Sequence, residues 1–357
     1  MSRTPARRRI LIAGAIACVA AAAMMLASGH AQVEQAPVLA TKILNFEIGS
    51  NAKQFGKLEF VGGLQLESDA SGFGGFSGLR LYPDRSALMA VSDRCMVLTA
   101  TLERDVTGAL HDIRDPVLRS LPLDRQGKTL AKSRHTDCEA LEIDDGDALI
   151  AFERNSQTGR FDIGPDGALT SFRPVWPKPG IGPLDRNRGI EAMAVFPPQS
   201  RFAGSVLSIS ESTLNGEGNH RAFITGPDGV SEFAIASRDG YSVTDADFLP
   251  DGDLVILERR FGLNVSPGMR LRRIAAASIG GGLTSDGDVL LEAGLAYRID
   301  NMEGLDISAG EDGQVYLTLI SDDNFFYFQS TLLLEFKLLG ELSPVSGPTE
   351  AETLPKP

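Results

Sequence analysis

The stretch that decides the fold reads NMEGLDI at residues 301–307 and, after a short loop, VYLTLISDDN at residues 315–324. In its first half an acid, Glu303, stands before a small residue and apolar residues. Its second half is rich in β-forming residues and ends on acids that begin at Asp322. This order predicts two adjacent strands, with an acidic side chain where the second one ends.

The same order occurs four more times along the chain. The copies are SGLRL (77–81), CEALEI (138–143), IEAMAV (190–195) and TDADFL (244–249), and the β-rich runs after them end on Asp93, Glu153, Glu211 and Glu258. Counted through Gly78, Glu139, Glu191, Asp247 and Glu303, the steps are 61, 52, 56 and 56 residues. A period near fifty residues with several short strands per unit is typical of a β-propeller.

We therefore predict an all-β fold, a β-propeller of five or six blades, and favour six. The strand that begins at Phe60 and the strand at residues 331–338 could add a blade. Propellers also close their ring by pairing N- and C-terminal strands within one blade, which would leave five. The alternatives are an array of β-sandwiches or two unrelated β domains.

Composition agrees with many short strands and excludes one class of partner. The chain of 357 residues contains 38 glycines and 19 prolines, and its formal net charge is −13. Such an acidic chain, without Lys/Arg clusters beyond its first ten residues, is unsuited to nucleic acid. A negative net charge would attract cations, or it would simply keep the protein soluble.

The N-terminus has the pattern of an export signal. Arg3 and Arg7 to Arg9 precede an apolar run at residues 10–27, and small residues follow before Gln32. The arginines also resemble a twin-arginine signal. An uncleaved membrane anchor is the alternative. We predict a signal peptide at 1–31, a leader at 32–54, the propeller at 55–340 and a disordered tail at 341–357.

Cleavage would leave 30 Lys+Arg against 47 Asp+Glu, a net charge of −17. The expected product is a soluble periplasmic or secreted protein, a monomer with no membrane contact. It would keep Cys95 and Cys138, which stand beside repeat motifs. In an oxidising compartment they could form a disulfide, and two buried free thiols are the alternative.

In a propeller, a motif at one place in every blade puts its side chains in a ring. Glu139, Glu191, Asp247 and Glu303 would form one ring of carboxylates. A second ring would lie where the following strands end, and it would contain Asp93, Glu153, Glu211, Glu258 and Asp322. Like charges so close need a compensating cation or arginine. Alternatively, each acid staples its blade to the next one.

The best local group for a cation is formed by Asn301, Glu303, Asp322, Asp323 and Asn324, since Ca²⁺ or another divalent cation prefers oxygen ligands. Other chemistries lack support. The sequence has no G-x-S-x-G nucleophile motif, and the three histidines beyond the signal are scattered, without zinc spacing.

The chain resembles a known family at GIEA (189–192), DGYSVTDADF (239–248), LERRF (257–261), NMEG (301–304) and ISDDNF (320–325). These runs look like the phytase-like, or esterase-like phytase, domain of exported bacterial proteins. The resemblance covers residues 55–340. It implies export, a propeller and hydrolysis of phosphate esters, and it assigns no catalytic residue.

The leading hypothesis is an exported hydrolase of a small-molecule phosphate ester that depends on a divalent cation. Glu191 would be a ligand or general base, and Arg188 and Arg259 would clamp the phosphate. An acidic channel counts against a polyanionic substrate. A metal-dependent lactonase or carboxylic esterase is the second hypothesis, and a non-catalytic periplasmic binding propeller is the third.

Overall fold

The computed structural model describes residues 33–35, 37–122, 137–152, 157–175, 189–227, 229–262, 265–282, 284–340 and 342. Within these residues the regular elements are β-strands, apart from one 3-10 turn at Ala276–Ser278. No helix in this part of the chain is long and apolar enough to cross a membrane. The predicted signal peptide lies outside the described residues, as does the predicted tail except for Leu342.

The strands form five sheets, the five blades of a β-propeller. The first strands are β1 (Val33–Gln35), β2 (Leu39–Ile43), β3 (Gln54–Phe55) and β4 (Leu58–Glu67). Blade 1 contains β5 (Phe76–Leu81), β6 (Ala87–Ser92), β7 (Met96–Arg104) and β8 (Leu110–Ser120). Blade 2 contains β9 (Cys138–Asp144), β10 (Asp147–Phe152), β11 (Gln157–Ile163) and β12 (Leu169–Pro174). Blade 3 contains β13 (Ile190–Val195), β14 (Val206–Leu214), β15 (His220–Gly226) and β16 (Gly229–Ile235). Blade 4 contains β17 (Ser242–Phe248), β18 (Leu254–Gly262), β19 (Val265–Ile274) and β21 (Asp288–Gly294). Strand β20 (Thr284–Ser285), which precedes β21 in the chain, pairs with β16 of blade 3. Blade 5 begins with β22 (Asn301–Ala309), β23 (Val315–Asp322) and β24 (Thr331–Leu338).

Blade 5 closes the ring. Strand β4 pairs antiparallel with β24, with Leu64 opposite Leu333, and β2 covers the other edge of β4. The β-propeller prediction is confirmed, with five blades, the lower of the two numbers that the sequence allowed. The described strands form no sixth blade, which we had favoured, because the N- and C-terminal strands share one blade. The segment predicted as a leader, 32–54, supplies β1 on the edge of blade 1 and β2 on blade 5.

Apolar layers between the blades hold the inner strands in place. The inner strands β5, β9, β13, β17 and β22 pack side by side in a closed ring. Leu305 of β22 is fully buried in a cluster with Val255 of blade 4. Leu79 of β5 is fully buried with Leu98 and with Leu333 of blade 5. Each such side chain stabilises the ring by roughly 1.5–3 kcal/mol, and together they fix the channel.

A disulfide joins blades 1 and 2. Cys95, in the turn between β6 and β7, is bonded to Cys138, and their Cα atoms are 5.2 Å apart. The Cys138 backbone N–H donates to the Asp93 carbonyl oxygen at 3.4 Å. Of the two states that the sequence left open, the structure has the disulfide.

Candidate functional site

All five inner strands begin at one end of the channel, which we call the mouth. The mouth carries these side chains from the five blades: Asp93, Glu139, Glu191, Glu211, Arg259, Asn301, Glu303 and Asp322. Every inner strand has a β-bulge near this end, a residue without a partner on the second strand of its blade. The bulged residues are Ser77, Glu139, Glu191, Thr244 and Glu303. Bulges re-aim side chains, and here the bulges at Glu191 and Glu303 bring carboxylates near Arg259.

The bulges correct the predicted first ring. Glu139, Glu191 and Glu303 are equivalent, but their equivalent in blade 4 is Thr244 rather than Asp247. Asp247 lies three residues deeper. Its carboxylate accepts the Ile307 backbone N–H of blade 5 at 2.7 Å. Asp247 therefore joins blade 4 to blade 5. This is the structural role that the sequence left open as the alternative to a ring of carboxylates.

Below the mouth, one arginine closes the channel. Arg80 of β5 is 3% exposed. Its guanidinium donates to the Glu142 carboxylate at 3.2 Å, the Met193 carbonyl at 2.8 Å, Asp245 at 3.2 Å and the Leu305 carbonyl at 2.6 Å. These partners belong to the inner strands of the other four blades. Burial opposes the charge of Arg80, but Glu142 and Asp245 raise its pKa well above its ordinary value.

The sequence analysis missed Arg80 and the acids around it. Asp306 accepts the Leu81 N–H at 2.8 Å, and Glu142 accepts the Val195 N–H at 3.2 Å, so each links its blade to the next. Burial raises the pKa of Asp245 to about 7, although Arg80 acts in the opposite direction. A charged residue at an inward position of an apolar strand was the available signal for Arg80.

Strand register also corrects the predicted second ring. Asp93 directly follows β6 and lies opposite Gly75, and Glu211 lies within β14 opposite Gly189. Asp322 occupies the equivalent position opposite Asn301 in blade 5. In blade 4 this position belongs to Arg259, opposite Ser242. An arginine therefore replaces an acid in one blade.

Glu258, predicted for this ring, lies one residue away from it. Its side chain is fully buried and accepts Arg270 Nε and Arg272 Nε, both at 2.9 Å. The sequence could not separate Glu258 from Arg259, because the alternation of a strand is interpretable only once its register is known. Glu153 and Arg188 lie outside the described residues.

Arg259 holds the acidic mouth together. Its Nη1 donates to Asn301 Oδ1 at 2.6 Å and lies 2.8 Å from Glu303 Oε1. Its Nη2 donates to Glu211 Oε1 at 3.0 Å. Burial opposes the charge of Arg259, yet Glu303, Glu211 and Glu191 raise its pKa. One guanidinium thus bridges blades 3, 4 and 5, and a quarter of its side chain, 26%, stays exposed.

Asp322 stands beside this cluster with both oxygens engaged. Asn301 Nδ2 donates to its Oδ2 at 3.2 Å, and the Asn324 backbone N–H donates to its Oδ1 at 2.5 Å. Burial raises the pKa of Asp322 to about 7, and the nearby charge of Glu303 adds to this effect. Burial likewise raises the pKa of Glu303, against the effect of Arg259.

Asp93 is the third carboxyl group of the mouth with a raised pKa, after Asp322 and Glu303. Burial and the charge of Asp322 raise its pKa to about 7. Its Oδ1 is buried and has no hydrogen-bond partner within the described part of the chain. A buried oxygen without a partner favours the neutral form of the acid. At neutral pH the mouth therefore contains carboxyl groups in both protonation states.

As arranged, the predicted metal ligands do not fit a divalent cation. Asn301 Oδ1 and Glu303 Oε1 face Arg259, and Asn324 contacts Asp322 through its backbone. Among the described residues, no group of three His, Cys, Asp or Glu side chains converges on a metal position. The guanidinium of Arg259 supplies the positive charge that the carboxylates require.

The fold and this geometry define a class, a five-bladed β-propeller with an acidic channel mouth bridged by one arginine. The family model described as "Phytase-like: Esterase-like activity of phytase" matches residues 71–325. The chain belongs to the phytase-like family. No curated protein matches the sequence.

Solved structures match this chain at low sequence identity and low TM-score. A chain from the crystal structure of a nidogen/laminin complex is 11% identical, with a TM-score of 0.41 over 78% of this chain and 94% of that one. A putative oxidoreductase (glucose dehydrogenase) from Thermus thermophilus is 16% identical, with a TM-score of 0.33 over 85% of this chain and 99% of that one.

Proposed function

We propose that this propeller hydrolyses an ester at its mouth. The observation that carries the proposal is the break in symmetry at Arg259, where one blade places a cation in a ring of acids. Repeated acids alone would serve to staple blades. Distinct groups side by side, an arginine and two carboxyl groups with raised pKa values, are what acid–base catalysis requires.

The environments of the two carboxyl groups favour different roles. Both oxygens of Asp322 accept hydrogen bonds, which favours its ionised form. The orphaned oxygen of Asp93 favours the protonated form. In the proposed step, the Asp322 carboxylate takes a proton from water, and that water attacks the ester. The Asp93 carboxyl group gives its proton to the departing alcohol.

Arg259 would bind the ester oxygen that gains negative charge. Its guanidinium is held by Asn301, Glu211 and Glu303 and remains partly exposed, so it needs little reorganisation when the substrate arrives. Glu191, which the sequence analysis assigned as a possible base, lies buried at a bulge beside this cluster and contributes to its charge.

Two ester classes are candidates. A phosphate ester is the first, because the family description names phytase. A carboxylic ester or lactone is the second, and the excess of acids over arginine at the mouth favours it, since those substrates are uncharged. A dependence on Ca²⁺ stays a prediction, and a cation would have to displace the Arg259 guanidinium. Export through the N-terminal signal is proposed with the same function.

The direct test compares glycerol phosphate with ethyl acetate as substrates of the purified protein, because an alkyl alcohol must gain a proton when it departs. Asp93→Asn and Asp322→Asn should each lower kcat/KM by about 100-fold or more. The matched control is Asp312→Asn, which should leave kcat/KM unchanged. Asp312 is an exposed acid in the turn between β22 and β23, at the other end of the channel. Undiminished activity in both mouth variants would refute the assignment. No hydrolysis of either ester would favour the binding propeller.

A further inference from the structure

The loop between β23 and β24 holds three aromatic rings in water. Phe326, Tyr327 and Phe328 are 56%, 93% and 81% exposed. The rings touch one another, with centroids 5.6 Å apart for Phe326 and Phe328 and 5.4 Å apart for Tyr327 and Phe328. An exposed apolar cluster of this kind costs solvation free energy and commonly marks a binding surface.

Hydrogen bonds fix both ends of this loop. Asp323 Oδ1 accepts the Gly75 and Phe325 N–H groups, both at 3.0 Å, and its Oδ2 accepts the Thr331 hydroxyl at 3.1 Å. At the other end, Asp300 Oδ2 accepts the Ser330 N–H at 2.8 Å. The rings are therefore presented by an anchored backbone.

The aromatic loop borders a cleft of about 490 Å³ at the mouth end of blade 5. The opposite wall is the end of β4, where Gln65 Nε2 donates to Glu67 Oε1 at 2.8 Å. Ser68, Gln329 and Thr331 add further polar groups. Among the described residues that line the cleft there is neither lysine nor arginine. Amides, hydroxyls and carboxylates without a cation suit an uncharged polyhydroxylated ligand and oppose an anion.

We propose that this cleft binds a neutral carbohydrate ring, stacked on Phe326 and Tyr327 and hydrogen-bonded to Gln65 and Glu67. One face of a sugar ring carries C–H groups that pack on an aromatic side chain, and its hydroxyls pair with amide and carboxylate groups. The volume is within the usual range of small-molecule sites, about 300–1,000 Å³.

The site is separate from the ester chemistry. It does not use Arg259 or Asp93, although two residues that line the cleft, Asp323 and Phe325, lie close to the mouth at Gly75. Carbohydrate binding therefore stands or falls independently of hydrolysis, and binding is the quantity to measure.

The test is calorimetric titration of the full protein with three neutral disaccharides, cellobiose, maltose and N,N′-diacetylchitobiose. At least one should bind, and Tyr327→Ala and Phe326→Ala should each weaken that binding about tenfold or more. Val106→Ala is the matched control, because Val106 is fully exposed in the β7–β8 turn at the other end of the molecule. Since Tyr327 lies almost wholly in water, its replacement should leave Tm unchanged.

Two results would overturn the proposal. One is no binding of any of the three sugars, or binding that neither alanine variant weakens. The other is binding of phosphatidylcholine vesicles that depends on Tyr327, in the absence of sugar binding. That outcome would assign the rings to a membrane surface.

Discussion

At the scale of single residues, Arg259 is the group on which the mouth depends. Its removal would leave Glu211 and Glu303 facing each other without compensation in a buried site. We expect Arg259→Gln to lower the free energy of unfolding by on the order of 2 kcal/mol or more in urea at pH 7.5. Arg173→Gln, which breaks exposed ion pairs, should cost about 1 kcal/mol or less. Equal losses would contradict the role of Arg259.

Asp322 should make stability depend on pH. Its pKa is raised from 3.8 to about 7 in the folded protein. The folded state therefore holds a proton that the unfolded state releases. This contribution to stability is complete below about pH 4 and is lost as the pH rises through about 7. Asp322→Asn, which cannot ionise, should be more stable than the wild type at pH 8, by roughly 1–3 kcal/mol. It should gain no such advantage at pH 4. An equal difference at both pH values would contradict the raised pKa.

At the scale of elements, the turn before β5 packs directly against the side chains of the mouth. Gly75 has φ +65°, and an added Cβ would lie 2.5 Å from both Asp93 Oδ1 and Phe325 Cε2. We expect Gly75→Ala to lower Tm by several degrees. The control is Gly313→Ala, where φ is +73° and an added Cβ meets nothing within 4 Å. Since both variants share the backbone strain, the difference in Tm measures crowding. Equal Tm values would show that this turn adapts.

The elements also show how far sequence could reach. Five copies of one motif predicted the repeated strand pairs, and their acids predicted that carboxylates would meet. In blade 4 the bulged residue is Thr244, next to the two acids Asp245 and Asp247. The sequence could not show this, because a bulge changes which side chains face inward without leaving a mark in the residue pattern. The same shift placed Glu258 in the ring instead of Arg259. Arg80 lies within the motif copy at 77–81, but its role could not be predicted there, because its partners come from four other blades.

At the scale of the whole molecule, closure of the ring was the uncertain step. The strands at residues 60–66 and 331–338 were visible in the sequence, but their pairing joins segments more than 260 residues apart. No local pattern encodes such a contact. Counting them as a separate blade gave six, and their pairing within blade 5 gives five.

The disulfide is a second long-range constraint on the assembled ring. Cys95 and Cys138 are 43 residues apart in sequence and join two blades next to Asp93. The chain-entropy model gives about 4 kcal/mol for a loop of this length. We expect the double variant Cys95→Ala with Cys138→Ala to have a lower urea midpoint and a free energy of unfolding that is lower by up to about 4 kcal/mol. An unchanged midpoint would mean that interblade packing alone fixes these two blades.

The pH dependence of kcat/KM, measured with the ester that the protein hydrolyses better, tests the proposed site most directly. If Asp322 acts as base and Asp93 as acid, the profile should be bell-shaped with its maximum near pH 7, the value to which both pKa values are raised. Asp322→Asn should abolish the acidic limb and nearly all activity. A profile that stays flat from pH 5 to 9, or one that is unchanged in Asp322→Asn, would contradict catalysis by this carboxyl pair.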